Sequence, residues 1–210
     1  MIIAIDGPAA AGKGTLARKL AAELNLAYLD TGALYRATGL RVMRNGTDLG
    51  DAEAVAAEAR NITQEDRENP ALRDEASGQM ASKVSAIPEV RAALLDYQRD
   101  FAANPPAGTA GAILDGRDIG TVVCPDADAK IFITASDEVR AHRRWLELSA
   151  NDPSIEEAVV LAEMQQRDAR DAARAAAPMV AAEDAHLLDT SNLVIDAAFD
   201  AAKAFVSKKI

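Results

Sequence analysis

Cysteine, histidine and aromatic residues are scarce in this 210-residue chain, and long apolar runs are missing. The one cysteine, Cys124, cannot form a disulfide within the chain, and no Cys/His pattern has metal-ligand spacing. No segment approaches the ~20 apolar residues of a membrane-spanning helix, and the N-terminal apolar run ends at Asp6, too early for a signal peptide. These absences predict a protein of a reducing compartment, and we expect it to be cytoplasmic and away from membranes.

Basic residues are also in the minority: 23 Lys and Arg stand against 33 Asp and Glu, for a formal net charge of −10. A surface of that sign repels polyanions, so we expect no binding to a nucleic-acid polymer. The chain is 49% hydrophobic, which predicts a single domain over residues 1–210 with its own core.

Short apolar, often β-branched runs alternate with amphipathic segments along the chain. Five strands are predicted around residues 2–5, 28–29, 112–114, 131–133 and 186–189. Helices are predicted at residues 15–24, from residue 33, over most of 51–101, and at 136–148, 154–174 and 193–206. The alternation predicts an α/β fold with a five-stranded parallel sheet flanked by helices.

A segment of small residues links the first predicted strand to the first predicted helix. Its sequence is Gly7-Pro8-Ala9-Ala10-Ala11-Gly12-Lys13-Gly14-Thr15, which contains the G-x-x-x-x-G-K core of a phosphate-binding loop, or P-loop. Small residues let backbone N–H groups turn toward phosphate oxygens, while the helix N-terminus and Lys13 add positive charge. The segment therefore predicts a site for nucleotide phosphates.

Arginine is prominent among the remaining candidate functional residues. The grouped arginines are Arg117, the adjacent pair Arg143 and Arg144, and Arg167, Arg170 and Arg174. On a helix, Arg167, Asp171 and Arg174 share one face, with Arg170 beside it. Alone, such a face favours a solvated surface of Arg–Asp pairs, whereas beside a P-loop it favours an anion-binding site.

No general base is apparent in the sequence. The two histidines, His142 and His186, belong to no nucleophile or metal pattern. A hydroxyl acceptor benefits from such a base, whereas a phosphate monoester is already an anion at neutral pH because its second pKa is about 6. Guanidinium groups, a lysine and Mg²⁺ can then bring two polyanions together and stabilise the transferring group. The composition therefore favours a kinase with a phosphate acceptor.

Motifs along most of the chain resemble those of the bacterial cytidylate kinases. The similar segments are residues 3–8, 12–15, 29–36, 88–91, 115–123, 130–132, 141–144, 167–171 and 188–189. Asp-Thr-Gly-Ala-Leu-Tyr-Arg at 30–36 and Asp-Gly-Arg-Asp at 115–118 distinguish this family from adenylate and guanylate kinases. The resemblance implies a nucleoside monophosphate kinase fold, a monomer, and transfer of a phosphoryl group from ATP to CMP or dCMP with Mg²⁺.

The resemblance also implies a role for each matching residue. ATP would be bound by the P-loop residues Gly7 to Thr15 and by Arg143, Arg144 and Arg170. CMP would be bound by Thr31, Tyr35, Arg36, Ser82, Arg91, Arg117, Asp118, Arg167, Asp171 and Arg174, with Ser82, Arg91 and Asp118 reading the cytosine. The catalytic charges would come from Lys13, Arg117, Arg167 and Arg174. Thr15 and Asp115 would bind Mg²⁺, through water.

The same resemblance divides the chain into a core and two mobile parts. The core would comprise residues 1–32, 105–147 and 167–210, with a CMP-binding segment at about 33–104 and a lid at about 148–166. Many family members carry a small antiparallel sheet in the CMP-binding segment. Residues 61–85 lack strand signals here and predict a reduced, helical version.

Several alternatives remain open at this point. Ser82 and Arg91, taken alone, are also consistent with ordinary exposed helix residues. A kinase acting on UMP, on AMP or on a hydroxyl is a second possibility. A P-loop switch or motor ATPase is a third, although the sequence has neither an Asn-Lys-x-Asp motif nor an apolar strand ending in Asp-Glu.

Overall fold

The computed structural model describes residues 1–150 and 152–209. Its five strands all pair in parallel and form one sheet in the order β2-β3-β1-β4-β5. The strands are β1 (Ile2–Asp6), β2 (Ala27–Asp30), β3 (Ala112–Asp115), β4 (Ala129–Thr134) and β5 (His186–Asp189). This confirms the predicted fold class and the position of every predicted strand.

Helices account for most of the remaining described residues. They are α1 (Lys13–Leu24), α2 (Thr31–Asn45), α3 (Ala52–Arg60), α4 (Gln64–Glu68), α5 (Glu75–Val84), α6 (Pro88–Ala103), α7 (Asp137–Ser149), α8 (Glu157–Ala173) and α9 (Ile195–Val206), with a 3₁₀ turn at Pro70–Arg73 and a π-helical turn at Ile119–Val123. Residues 61–85 contain helices and no strand, as the sequence predicts.

Among the helix starts that differ from the prediction, two are explained by an aspartate side chain. Helix α2 begins two residues earlier than expected, since Oδ1 of Asp30 accepts the N–H of Ala33 at 3.0 Å and caps it. Helix α8 begins three residues later than expected. Asp152 accepts hydrogen bonds from the N–H and the hydroxyl of Ser154, which holds residues 152–154 in a turn.

The sheet is covered by helices on both faces. Ile3 and Ile5 of β1 pack with α1 and α9 on one face, and Ala4 packs with α6 and the π-helical turn on the other. Burial on both faces explains why the strands are apolar runs without polar alternation. Helices α2, α3, α5 and α6 form a second apolar cluster, and α7 packs on α8 in a small third one.

Candidate active site

The P-loop leaves the carboxyl end of β1 and is closed by tight backbone contacts. A side chain at Gly7 is excluded, because its Cβ would lie 1.9 Å from the carbonyl oxygen of Ile133. Ala10 and Gly12 adopt left-handed backbone conformations, with φ of 55° and 92°. Nζ of Lys13 donates a hydrogen bond of 2.7 Å to the carbonyl oxygen of Pro8, back across the loop. The loop therefore has the inward-turned form that the sequence predicts.

Lys13 is buried and lies among charges of both signs. Burial and the nearby Arg117 lower the pKa of its ammonium to about 7, against the opposing effect of Asp115. A bound anion would reverse this shift because it favours the charged form.

Three arginines converge opposite the P-loop and keep buried N–H groups without partners. Nε of Arg117, Nε of Arg167 and Nη2 of Arg174 make no hydrogen bond to the described residues. Burial and the charge of Arg117 lower the pKa of Arg167 to about 10. A buried N–H group without a partner lowers the stability of the fold. The three groups together therefore suit an anion with several acceptor oxygens.

Asp171 is the carboxylate that keeps these arginines in place. Burial acts to raise its pKa, but Arg117, Arg167 and Arg174 outweigh burial, and the pKa is lowered. Its Oδ2 lies 3.4 Å from Nε of Arg117, and its Oδ1 accepts a hydrogen bond of 2.9 Å from the hydroxyl of Ser82. One carboxylate among three guanidinium groups leaves an excess of positive charge.

A second group of polar residues lies beside this cluster. Arg91 forms an ion pair with Asp118, and its guanidinium lies 5.5 Å from the ring centroid of the buried Tyr35. Ser82 is buried, and Arg91 is only 12% exposed at its side chain, so neither is an ordinary exposed helix residue. The donors of Arg91 and Ser82 and the acceptor of Asp118 form a hydrogen-bonding set for a polar heterocycle.

The residues proposed to bind the metal lie at the carboxyl edge of the sheet. Asp115 ends β3, and Tyr28 donates to its Oδ2 at 3.3 Å. A Cβ at Gly14 would lie 3.3 Å from that same oxygen, so the Asp115 carboxylate faces the first turn of α1, which contains Thr15. Thr31 donates to the carbonyl oxygen of Asp115 at 2.8 Å, and Arg36 pairs with Asp30 at 2.7 Å. The described residues contain no cluster of three metal-ligating side chains.

One cleft of about 1570 Å³ joins these groups. The predicted site residues that line it are Ala9, Ala10, Ala11, Gly12, Lys13, Gly14, Thr15, Thr31, Tyr35, Arg36, Ser82, Arg91, Asp115, Arg117, Asp118, Arg143, Arg144, Arg167, Asp171 and Arg174. Gly7 and Pro8, at the start of the P-loop, do not line the cleft. Eleven Lys and Arg residues line the cleft against nine Asp and Glu residues, so it is basic although the whole chain is acidic.

The three arginines predicted to bind ATP beyond the P-loop contact three different sets of partners. Arg143 donates to the hydroxyl and carbonyl oxygens of Thr190, at 3.1 and 2.8 Å. Arg144 pairs with Glu75 of α5 at 3.1 Å, across the cleft. Arg170 does not line the cleft and instead bonds to Gln79 and Ser82 of α5. Residue 151 of the predicted lid lies outside the described residues.

Sequence reasoning missed three residues that support the site. Ser85, buried beside Arg174, accepts from its Nη1 at 3.1 Å. Arg140 is buried and links the carbonyl oxygen of Ala9 in the P-loop, at 3.3 Å, to Asp168 of α8, at 2.6 Å. Asp6 accepts hydrogen bonds from the residues that follow Asp118. No local motif marks these contacts, since their partners are distant in sequence.

A parallel sheet that leads into a P-loop, beside a cleft lined by half-buried arginines, is the arrangement expected of a P-loop kinase. The fold alone is also similar to two crystal structures. One is an uncharacterized protein from Eubacterium ventriosum, 14% identical, with a TM-score of 0.57 over 99% of this chain and 98% of that one. The other is a sugar kinase from Janibacter sp., 15% identical, with a TM-score of 0.51 over 98% and 94%.

Sequence comparisons identify the family. The family model described as cytidylate kinase matches residues 3–207. A cytidylate kinase of Rhodospirillum rubrum is 57% identical over 209 residues, which cover 100% of this chain and 98% of that protein. Cytidylate kinases of Methylocella silvestris and Paramagnetospirillum magneticum are each 56% identical, over 98% and 99% of this chain and 94% and 98% of theirs. The chain belongs to the cytidylate kinase family, and the resemblance seen in its motifs is confirmed.

Described residues 1–150 and 152–209 include no helix long and apolar enough to cross a membrane.

Proposed function

We propose that this protein transfers the γ-phosphoryl group of ATP to the phosphate of CMP or dCMP. The observation that carries the proposal is the set of three half-buried arginines whose buried N–H groups lack partners, in the same cleft as Lys13 of the P-loop. The P-loop suits the donor phosphates. The arginines suit the acceptor phosphate, because a planar guanidinium presents several fixed donors to phosphate oxygens.

The polar group beside the arginines accounts for the choice of base. Cytosine offers an exocyclic amine as a donor and a ring nitrogen and a carbonyl oxygen as acceptors. Asp118 would accept from the amine, while Arg91 and Ser82 would donate to the ring acceptors. Uracil has a carbonyl oxygen in place of that amine, which the Asp118 carboxylate repels.

The transfer proceeds without a general base in this proposal. Neither histidine lines the cleft among the described residues. Asp30 pairs with Arg36, Asp118 with Arg91, and Asp171 with Arg117. These carboxylates are therefore committed to cations. A phosphate acceptor needs no proton removed at neutral pH, and the remaining task is to align two polyanions and to stabilise the charge of the transferring group. Lys13, Arg117, Arg167 and Arg174 would supply that stabilisation.

The residues near the P-loop fit a magnesium ion that arrives with ATP. Mg²⁺ prefers one or two carboxylates with phosphates and waters over a cage of protein ligands. The Asp115 carboxylate, which faces the first turn of α1, and the Thr15 hydroxyl would hold it. When bound, Mg²⁺ neutralises charge on the donor phosphates.

The remaining assignments are part of the same proposal. Residues 33–104 would bind the acceptor, and residues 148–166 would form the lid. Arg143 and Arg144 would reach ATP from the cleft wall, and Arg170 would need to leave Gln79 and Ser82 to do so. A cytoplasmic monomer that binds no nucleic-acid polymer stays a prediction from the sequence.

The test is ADP production from ATP and Mg²⁺ with CMP, dCMP, UMP, AMP or shikimate added singly. We expect strong turnover with CMP and dCMP, and a loss of at least about tenfold in kcat/KM for CMP in Asp118→Ala, since one good base contact contributes about 1–3 kcal/mol. Turnover with only another acceptor, or with none, would contradict the proposal.

A further inference from the structure

A buried aspartate outside the cleft is the strongest feature that the proposed mechanism leaves unused. Asp6 is the last residue of β1 and is 5% exposed. Its Oδ1 accepts the N–H of Ile119 at 2.7 Å, and its Oδ2 accepts the N–H of Gly120 at 2.8 Å. Asp6 thus binds the first two N–H groups of the π-helical turn, 113 and 114 residues away in sequence.

Asp118 precedes that turn in the position where a capping residue normally lies. An aspartate there usually turns its side chain back and accepts an N–H from the second or third residue of the helix. Asp118 makes no such bond. Its carboxylate instead pairs with Arg91 in the cleft. The N–H of Gly120, which Asp118 could otherwise cap, is already bound to Asp6.

We propose that Asp6 caps the Ile119–Val123 turn in place of Asp118 and thereby keeps the Asp118 carboxylate directed at the acceptor base. Asp6 is a positioning residue in this account, because it does not line the cleft. The inference rests on the proposed function for the identity of the base.

The charges of Asp6 and Asp118 agree with the proposal that Asp6 caps the turn and Asp118 faces the cleft. Burial raises the pKa of Asp6 to about 7 against the opposing effect of the two N–H groups, and the Asp118 carboxylate contributes to the rise. The two side chains are therefore close enough to repel each other. Loss of the charge at position 6 removes this repulsion and exposes the same N–H groups to Asp118.

Other contacts fix the rest of the segment, so the effect of Asp6 is local. Gly116 at the start of the segment donates its N–H to the carbonyl oxygen of Ile5 at 2.9 Å. A side chain at Gly116 would meet Oγ1 of Thr31 at 2.7 Å. The first half of Asp115–Asp118 is therefore held by the sheet, and Asp6 holds the residues directly after it.

The test compares Asp6→Asn and Asp6→Ala with the wild-type protein by kcat/KM for CMP and for UMP. Asparagine keeps the size of the side chain but can accept only one of the two N–H groups. We expect the preference for CMP over UMP to fall at least about tenfold in Asp6→Ala, and less in Asp6→Asn. The KM for ATP should change less than this preference does.

Asp66→Asn is the matched control. Asp66 is also buried and also caps a helix, α4, but it does not line the cleft. This variant should lose stability and keep the wild-type preference within about twofold. A fall in all activities of the Asp6 variants at an unchanged preference would overturn the inference and leave Asp6 with a structural role only.

A double variant tests whether Asp6 acts through Asp118. In an Asp118→Ala background, Asp6→Asn should leave the CMP/UMP preference unchanged, and a further fall would contradict the proposed route. If the wild-type protein itself shows no preference for CMP over UMP, the base assignment in the proposed function has failed. That outcome differs from a wild-type preference that the Asp6 variants retain.

Discussion

The donor side of the cleft comes from one continuous stretch, residues 7–15, whereas the acceptor side takes its polar and charged groups from five separate places. These are α2, α5, α6, the segment after β3, and α8 with the residue that follows it. On the donor side, backbone groups and one lysine do the binding, and the neighbouring side chains are small. On the acceptor side, long charged side chains bind, and most of them contact a carboxylate or a hydroxyl from another element.

The difference shows two ways to prepare a site for anions. The P-loop fixes its N–H groups by covalent geometry, a few tight backbone contacts and the hydrogen bond from Arg140, so it depends less on side chains of other elements than the acceptor side does. The acceptor side depends on side chains from several elements, because Arg117 pairs with Asp171 and Arg174 donates to Ser85. Changes on the donor side should therefore alter turnover, and changes at Asp171 or Ser85 should alter the acceptor side.

The largest effect is expected for Lys13→Met on the donor side. Loss of one preorganised positive group that stabilises a transition state lowers kcat by about 10²–10³-fold. The coupled assay for ADP measures this effect. Lys19→Met is the control, since Lys19 pairs with Asp196 on the surface, and its kcat should stay near the wild-type value. A Lys13 variant with near-normal turnover would contradict the donor assignment.

A second prediction concerns protons at Lys13. Because burial lowers its pKa to about 7, the free protein holds Lys13 mostly neutral at pH 8. Nucleotide phosphates favour the charged form, so ATP binding at pH 8 should take up protons, and much less at pH 6. Calorimetry in buffers of different ionisation enthalpy measures the uptake. Lys13→Met should lack this pH dependence, and equal uptake by the two proteins would argue against Lys13 as its source.

Asp66→Asn tests the scaffold of the acceptor side. Asp66 accepts from Arg41 and from the N–H of Thr63, each at 3.0 Å. Loss of this cap and ion pair should lower the free energy of unfolding by about 1–2 kcal/mol. Urea denaturation measures it.

The pH dependence of that loss has a defined sign. Burial acts to raise the pKa of Asp66, but Thr63 and Arg41 outweigh it, and the pKa is lowered. An aspartate whose pKa is lowered by folding stabilises the protein fully at pH values above its ordinary pKa of about 3.8. This stabilisation is lost as the pH falls below that value and through the lowered pKa. The difference between wild type and Asp66→Asn should therefore shrink below about pH 4. A difference that grows there would contradict the account.

The smallest effect is expected where the two sides meet. Glu75→Gln removes the ion pair with Arg144, whose partly exposed side chain also donates to the carbonyl oxygen of Arg73 at 2.9 Å. Such pairs contribute about 0.2–1 kcal/mol. The KM values for ATP and CMP should thus stay within about fivefold of wild type in steady-state assays. A much larger change in both would show that the two sides depend on this bridge.

The same contrast explains how far the sequence alone could predict the molecule. Strands are readable because each is a short apolar run that ends at a polar turn, and the P-loop is readable because its residues are contiguous. The residues of the acceptor side were named from the resemblance to a family. Nothing local in the sequence brings Ser82 to Asp171 or Arg91 to Asp118.

The contacts that no pattern indicated are those made by side chains between distant elements. Asp6 ends an apolar strand before a turn and looks like an ordinary turn residue. Its role depends on the π-helical turn more than a hundred residues later. Arg140 likewise looks like one basic residue of a polar helix, yet it is buried between the P-loop and α8. Such partners follow from the order of strands in the sheet.

The central claim is that arginines with unpartnered buried N–H groups bind the phosphate of the acceptor. Calorimetric affinities of CMP and of cytidine for the wild-type protein and for Arg167→Met test it most directly, with Arg60→Met as a surface control paired to Glu53. We expect the wild-type protein and the control to bind CMP at least about 10²-fold more tightly than cytidine, and Arg167→Met to lose about tenfold or more of that preference. An undiminished preference in Arg167→Met would contradict the claim.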